Sequence, residues 1–164
     1  PLTPYPKNSH LIGWQDFGRD IEVLVTQYER ETGEPVLVVG MDKVKIASGL
    51  AFYRAKYIGS LNEKTGHDPA FQTSSAHLFD RNGLMYEFWF PIEKQNNKTM
   101  LLVSADKDDF TSEEVLSRVK AIGEIKEIKT WRNGKQTGQY YYRLVNGYQS
   151  KSASSGRLTG TSGD

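Results

Sequence analysis

The spacing of apolar and polar positions changes period several times along the chain, and each change marks an element. In residues 14–32, Phe17, Ile21, Leu24, Val25 and Tyr28 recur at helical spacing, while Asp16, Arg19, Asp20, Glu22, Arg30 and Glu31 fall mostly on the other face. This predicts an amphipathic helix that ends at Gly33. Pro35 then opens the short apolar run Val36-Leu37-Val38-Val39, a buried strand, which stops at Gly40-Met41-Asp42. Residues 43–57 return to helical spacing, with Ile46, Leu50 and Tyr53 on one stripe. A strand feeding a helix is the unit of an α/β fold.

Further along, residues 56–61 read as a second short strand, and residues 62–76 as a long polar loop of a length that is uncommon unless functional or mobile. Asp80-Arg81-Asn82-Gly83 is turn chemistry, and the dense aromatic segment 84–90 fits a strand or a short helix stopped by Pro91. Residues 100–105 form another buried strand, followed by the acidic loop 106–109. Thr111-Ser112-Glu113-Glu114 fits a capping box, behind which Val115, Leu116, Val119 and Ile122 predict an apolar helical stripe. Residues 124–132 and 139–145 then read as an antiparallel hairpin around Asn133-Gly134 at a sheet edge.

The fold class expected is therefore α/β. It comprises a small layered sheet, mostly parallel and Rossmann-like, with flanking helices and a C-terminal antiparallel hairpin. Three prolines within the first six residues predict an extended linker over 1–10. Residues 11–148 read as a single soluble α/β domain, and the Ser-, Gly- and Thr-rich residues 149–164 as a disordered tail. A chain that opens on proline, with no initiator Met, reads as a piece of something longer.

Composition narrows the function classes. A hydrophobic content of 37% with 12% aromatic and 25% charged residues is that of a folded domain. The 21 basic and 20 acidic residues are interspersed, so no global field draws the chain to nucleic acid. The absence of cysteine excludes a disulfide framework, a zinc–thiolate site and a thiol nucleophile. No apolar run approaches the roughly 18–20 residues that span a bilayer.

Candidate chemistry is sparse. Ligands in open α/β sheets gather at the carboxyl ends of strands, which singles out Asp42, Lys43 and the first turn of the helix that follows. The segment Gly40-Met41-Asp42 lacks the glycine spacing that admits a pyrophosphate, and no cofactor is expected. The histidines His10, His67 and His77 have no metal-helix spacing. His77, beside Asp80, suits a general acid or base facing a crevice, or a solvated loop. Asp106, Asp108 and Asp109 suit a divalent cation, or the capping of the helix that follows. Ser48 lacks the context of an activated nucleophile. Tyr53 and Trp89, within the aromatic sets Phe52-Tyr53 and Tyr86-Phe88-Trp89-Phe90, suit stacking on sugar rings, with burial in the core as the plain alternative. The binding candidates are thus Asp42, Lys43, Tyr53, His77, Trp89 and Asp106, and no residue is assigned a catalytic role.

Several of these pieces occur in one order: Gly13-Trp14 opening a helix, the strand of Val36 to Val39, Ala47-Ser48-Gly49-Leu50-Ala51-Phe52-Tyr53, and Gly83-Leu84-Met85-Tyr86-Glu87-Phe88-Trp89. Over roughly residues 11–145 the chain resembles the extracytoplasmic C-terminal domain of bacterial membrane glycosyltransferases related to protein O-mannosyltransferases and aminoarabinose transferases. The resemblance implies a domain on the periplasmic face of the inner membrane, attached to an N-terminal transmembrane region. That region transfers sugar from a polyprenyl-phosphate donor to a lipid, glycan or protein acceptor, using an acidic residue of its own. The domain would then be an accessory that aids donor or acceptor selection and is not itself catalytic. The rival reading is a stand-alone carbohydrate or small-ligand binding module, with Asp42, Lys43, Tyr53 and Trp89 contacting the ring. A hydrolase built on His77 with Asp80 or Asp106 is a third.

Overall fold

A computed structural model describes residues 13–42, 44–61 and 68–151. The predicted linker 1–10, Lys43, His10, His67 and the tail from 152 onward lie outside the described residues, as does most of the first half of the predicted loop.

The first helix, α1 (Trp14–Thr32), closes on Gly33, whose left-handed φ of 72° lets its N–H reach the Glu29 carbonyl at 2.8 Å. The strand β1 (Val36–Gly40) follows and is buried throughout. The second helix, α2 (Lys45–Ser60), runs through residues 56–60, which the sequence pattern assigned to a strand. Extending a helix already nucleated costs less than starting a new element, and that stretch holds a single β-branched residue, Ile58.

A 3₁₀ turn (Pro69–Gln72) leads to β2 (Thr73–Ser75), a strand with no apolar signal at all. A second 3₁₀ turn (Ala76–Phe79) and the short helix α3 (Tyr86–Trp89) precede β3 (Thr99–Ser104). The helix α4 (Glu113–Leu116) has only four residues, and Ser112 makes no side-chain cap to it. The expected helical stripe through Ile122 is not formed. Lys120 N–H instead donates to the Asn146 carbonyl at 2.9 Å, and Ile122 sits opposite Val145 in the sheet. Pairing with a strand distant in sequence has overridden local helical spacing.

The hairpin is the longest feature. Strands β4 (Ala121–Arg132) and β5 (Lys135–Asn146) are joined by Asn133 and Gly134, with φ of 50° and 73°, the positive pair that a type I′ turn requires. The five strands make one sheet in the order β2-β1-β3-β5-β4. β1 pairs in parallel with β2 and β3, while β5 pairs antiparallel with β3 and β4. The sheet is mixed, and the expectation of a mostly parallel sheet is not met. Twelve-residue partners in the hairpin contribute more pairing than the short parallel strands, and β4 forms one edge.

Both faces of the sheet are covered at β1 and β3, while β4 is largely exposed. Alternate residues of β1 and β3 point to opposite sides, as the pleat demands. Val36, Val38, Leu101 and Val103 join Trp14, Phe17, Ile21 and Leu50 under α1 and α2. Leu37, Val39, Met100 and Leu102 join Leu78, Phe79, Phe110 and Tyr148 on the other side. α1 and α2 approach closely at Gly18, where a Cβ would stand 2.5 Å from Tyr53 Cβ. Within the predicted tail, Gln149 N–H donates to the Arg118 carbonyl and Ser150 N–H to Asn96 Oδ1, both at 2.7 Å.

One polar contact crosses the apolar layer. Glu22, placed by the sequence pattern on the polar face of α1, is buried, and its Oε2 accepts from Arg54 Nε at 2.7 Å. Arg54 has no exposed surface, and its Nη1 also donates to the Gln72 carbonyl (3.1 Å) and to Thr73 Oγ1 (2.7 Å). Thr73 in turn donates to the Pro69 carbonyl at 2.7 Å, so α1, α2 and β2 hang on one guanidinium. Removing one partner of a buried pair strands the other charge, at a cost of about 3–5 kcal/mol. Glu22→Gln is therefore expected to lower the unfolding free energy by an amount approaching that range. The double replacement Glu22→Leu with Arg54→Met should recover most of it, as read by denaturant titration. Equal losses in the single and double variants would contradict this account.

Candidate functional site

The parallel strands β1 and β3 end side by side, at Gly40 and Ser104, and a cleft of about 450 Å³ opens beyond them. Trp14, Asp42, Lys45, Ser104, Asp106, Asp109, Gln139 and Tyr140 are among its lining residues. The carboxyl ends of parallel strands are where α/β sheets hold ligands, because the chain turns away there and leaves a crevice.

Each wall has an origin in the chain. Asp42 follows β1, and both its carboxylate oxygens accept from Ile46 N–H, at 3.0 and 3.1 Å, on the first turn of α2. That amide is where a phosphate would dock, so the helix N-terminus is already occupied by an anion. Burial pushes the Asp42 carboxyl above its ordinary value, with the Ile46 amide and Lys45 pulling part of the way back. Lys45, the first residue of α2, supplies a cation to the same cleft.

Asp109 is held from two sides, accepting from Arg81 Nη1 at 2.7 Å and from Ser104 Oγ at 2.5 Å. Arg81 Nη1 also donates to the Met41 carbonyl at 2.9 Å, tying the loop after β1 to the loop after β3. Asp106 Oδ1 accepts from Asp108 N–H at 2.9 Å, capping the 3₁₀ turn Lys107–Phe110. The acidic loop thus caps a turn of its own, and Ser112, not an acidic residue, stands at the N-cap of α4.

The far wall comes from the hairpin. Tyr140 stacks on Phe17 with ring centroids 4.1 Å apart and meets Trp14 edge-on at 5.9 Å. Burial raises its hydroxyl above the ordinary value, and the Asp42 charge adds to the effect, so the phenol is a fixed neutral donor and acceptor. Chemically the cleft offers carboxylate acceptors, one ammonium and a phenol at its rim. That set matches a ligand rich in hydroxyls, and its carboxylates oppose a free phosphate.

Among the described residues, the candidates His77, Tyr53 and Trp89 are not brought to this cleft. His77 is buried: its Nε2–H donates to the Phe90 carbonyl at 2.8 Å, and its Nδ1 accepts from Ser75 Oγ at 3.0 Å. Asp80 bonds to Arg118 at 2.6 Å and to Lys151, so His77 has no acid–base partner there. Tyr53 stacks on Trp14 at 6.3 Å and borders a second cleft. Trp89 stands exposed on α3. The ring-contacting set Asp42, Tyr53 and Trp89 is therefore spread over three places, and Lys43 lies outside the described residues. Lys45 belongs to the first helical turn that the sequence pointed to, whereas Gln139 and Tyr140 were missed as site residues: they are about a hundred positions away from Asp42 and carry no local signal of a site.

Among the described residues no group of three His, Cys, Asp or Glu side chains is placed to hold a metal ion, and no helix is long and apolar enough to cross a membrane.

The raised Asp42 pKa has a definite sign. The folded state holds this proton more tightly than the unfolded chain, whose carboxyl titrates near 3.8. The resulting stability is complete at acid pH and is lost as pH rises through the folded-state value. Asp42→Asn keeps an acceptor for Ile46 N–H without the charge. It should match or exceed the parent in melting temperature at neutral pH and flatten the profile above pH 3.8, where the unfolded carboxyl loses its proton first. Asp42→Ala should cost about 1 kcal/mol through loss of the cap. A loss of stability with rising pH as steep in the Asn variant as in the parent would overturn the assignment.

Comparison with protein-family models, with curated proteins and with solved structures finds no match for this chain.

Proposed function

We propose that the chain is an extracytoplasmic accessory domain of a bacterial membrane glycosyltransferase that uses a polyprenyl-phosphate-linked sugar. In this reading it rests by one face on the membrane-embedded part of the same protein. The cleft at the carboxyl ends of β1 and β3 then receives the hydroxyl-rich portion of donor or acceptor.

The observation that carries the reading is an apolar surface made by the two segments that bear the family resemblance. Leu84, Met85, Phe88 and Trp89 are 57 to 79% exposed, on and just before α3. α3 turns Tyr86 and Phe90 into the core and leaves those four outside. Tyr86 meets Ser48 of α2 at 3.2 Å, and Phe52, one helical turn along from Ser48, is exposed as well. Leu84 holds a φ of 51°, unfavourable for a branched side chain, with its N–H bonded to Asn82 Oδ1 at 3.1 Å. Strain kept in order to present apolar side chains to the outside is a mark of a contact surface. Trp and Phe at such a surface suit the boundary between a bilayer and water.

The parallel half of the sheet, β2-β1-β3 with α2 leading out of β1, is read as the Rossmann-like portion, and its strand ends supply the cleft. The rival reading, a carbohydrate-binding module with no membrane part, draws on the same cleft but leaves the apolar surface unexplained.

Two measurements test the proposal. Translation of the reading frame upstream of Pro1 should reveal a series of apolar segments of about 20 residues each; their absence would remove the membrane reading. In the protein carrying that region, Phe88→Asp combined with Trp89→Asp should abolish or strongly reduce sugar transfer. The isolated domain should keep its stability within about 0.5 kcal/mol, as expected for surface positions. Unchanged transfer and acceptor choice would refute the contact.

A further inference from the structure

We propose that a second cleft, between α1, α2 and the outer strand of the hairpin, binds an acidic glycan, a pyranose ring carrying a carboxylate. The assignment concerns binding alone and stands whether or not the domain serves a membrane transferase. The cleft has a volume of about 440 Å³, and Gln15, Asp16, Tyr53, Lys56, Trp131 and Arg132 border it.

The hairpin is deformed at this point. Thr130 pairs with Gly138 but Trp131 pairs with Gln136, so Thr137 is an extra residue on β5, and its hydroxyl bonds Thr130 Oγ1 at 2.9 Å. In a regular strand Trp131 and Arg132 would point to opposite faces; beside this irregularity both border one cleft. Bulges re-aim side chains in this way next to binding sites.

The indole of Trp131 is 52% exposed and has no ring partner among the described residues. Tyr53, across the cleft, is held in place by Trp14 on one side and Phe52 on the other. A fixed phenol and an open indole suit the flat C–H face of a sugar ring. The charges select the kind of sugar. The side chains of Lys56 and Arg132 take part in no ion pair or hydrogen bond among the described residues. Asp16, the acidic member of the lining, is paired with Arg19 at 3.1 Å, a guanidinium it shares with Asp20 at 3.2 Å. Two unspent cations beside an aromatic platform call for an anion on the ligand, and the guanidinium fork matches a carboxylate. Gln15 adds an amide for hydroxyl groups.

Nucleic acid is a poorer occupant. The strand that carries Trp131 alternates Glu124, Lys126, Glu127 and Lys129, so no basic track leads a phosphate backbone away from the cleft.

The test uses the 164-residue chain with Trp89→Phe, which leaves Trp131 as the exposed fluorophore. A short oligogalacturonate is titrated by tryptophan fluorescence and by calorimetry, at low and at high salt. Saturable binding that weakens with salt is expected. Trp131→Ala should weaken it by about tenfold or more, and Lys56→Gln and Arg132→Gln by severalfold each, with loss of the salt dependence. A neutral oligosaccharide of equal length should bind at least about tenfold less tightly. If Trp131→Ala fails to fold, charge reversal at Lys56 and Arg132, both exposed, reads the same site. No saturable binding, equal binding of the neutral sugar, insensitivity to Trp131, or tighter binding of a mononucleotide would each overturn the proposal.

Discussion

Arg54 is the constraint on which the arrangement of this fold depends. A guanidinium with no exposed surface must find acceptors, since an unpaired buried charge is too costly to keep. Its partners come from three parts of the chain: Glu22 on α1, the Gln72 carbonyl in the turn before β2, and Thr73 within β2. Meeting it at Nε and Nη1, with Nη2 left buried and without a hydrogen bond among the described residues, fixes how α1 lies on α2 and where the loop after α2 must return. β2 has only three residues and no apolar side chain, so it is held at the sheet edge by its pairing with β1 and by this polar contact. Once β2 is placed, the parallel group β2-β1-β3 is complete and its carboxyl ends lie together.

From that group outward, the two clefts differ in chemistry because different elements close them. The cleft beyond β1 and β3 takes its charge from strand-end carboxylates, and Asp42 covers the helix amide that a phosphate would otherwise use. The cleft beside Trp131 lies where helix surfaces meet the hairpin and has unspent cations instead. The aromatic stack of Tyr53, Trp14, Phe17 and Tyr140 runs between them, with Tyr53 bordering one cleft and Tyr140 the other. Neither cleft borrows from the apolar surface of α3, which faces elsewhere with residues unsuited to hydrogen bonding.

Local spacing was a good guide for α1, β1, β3 and the hairpin turn. α1 has the span its periodicity predicts, β1 and β3 lie on the buried runs, and Asn133-Gly134 turns the hairpin as its φ preferences require. It failed where the deciding partner is remote. Residues 56–60 continue α2, Ile122 joins a strand, and Thr73 to Ser75 form a strand from polar residues. The aromatic segment 84–90 was legible as a cluster, but not which of its rings face inward.

The amino-acid sequence by itself thus determined the elements whose order is encoded within a turn or a strand length: α1, β1, β3 and the tight hairpin turn. Tertiary structure decided which polar groups are buried, which aromatic rings remain outside, and which side chains share a cleft. The physical reason is that burial and pairing are properties of a contact. Glu22 and Arg54 are 32 positions apart, and Asp42 and Tyr140 about a hundred, so neither side chain's environment is set until the chain brings its partner to it.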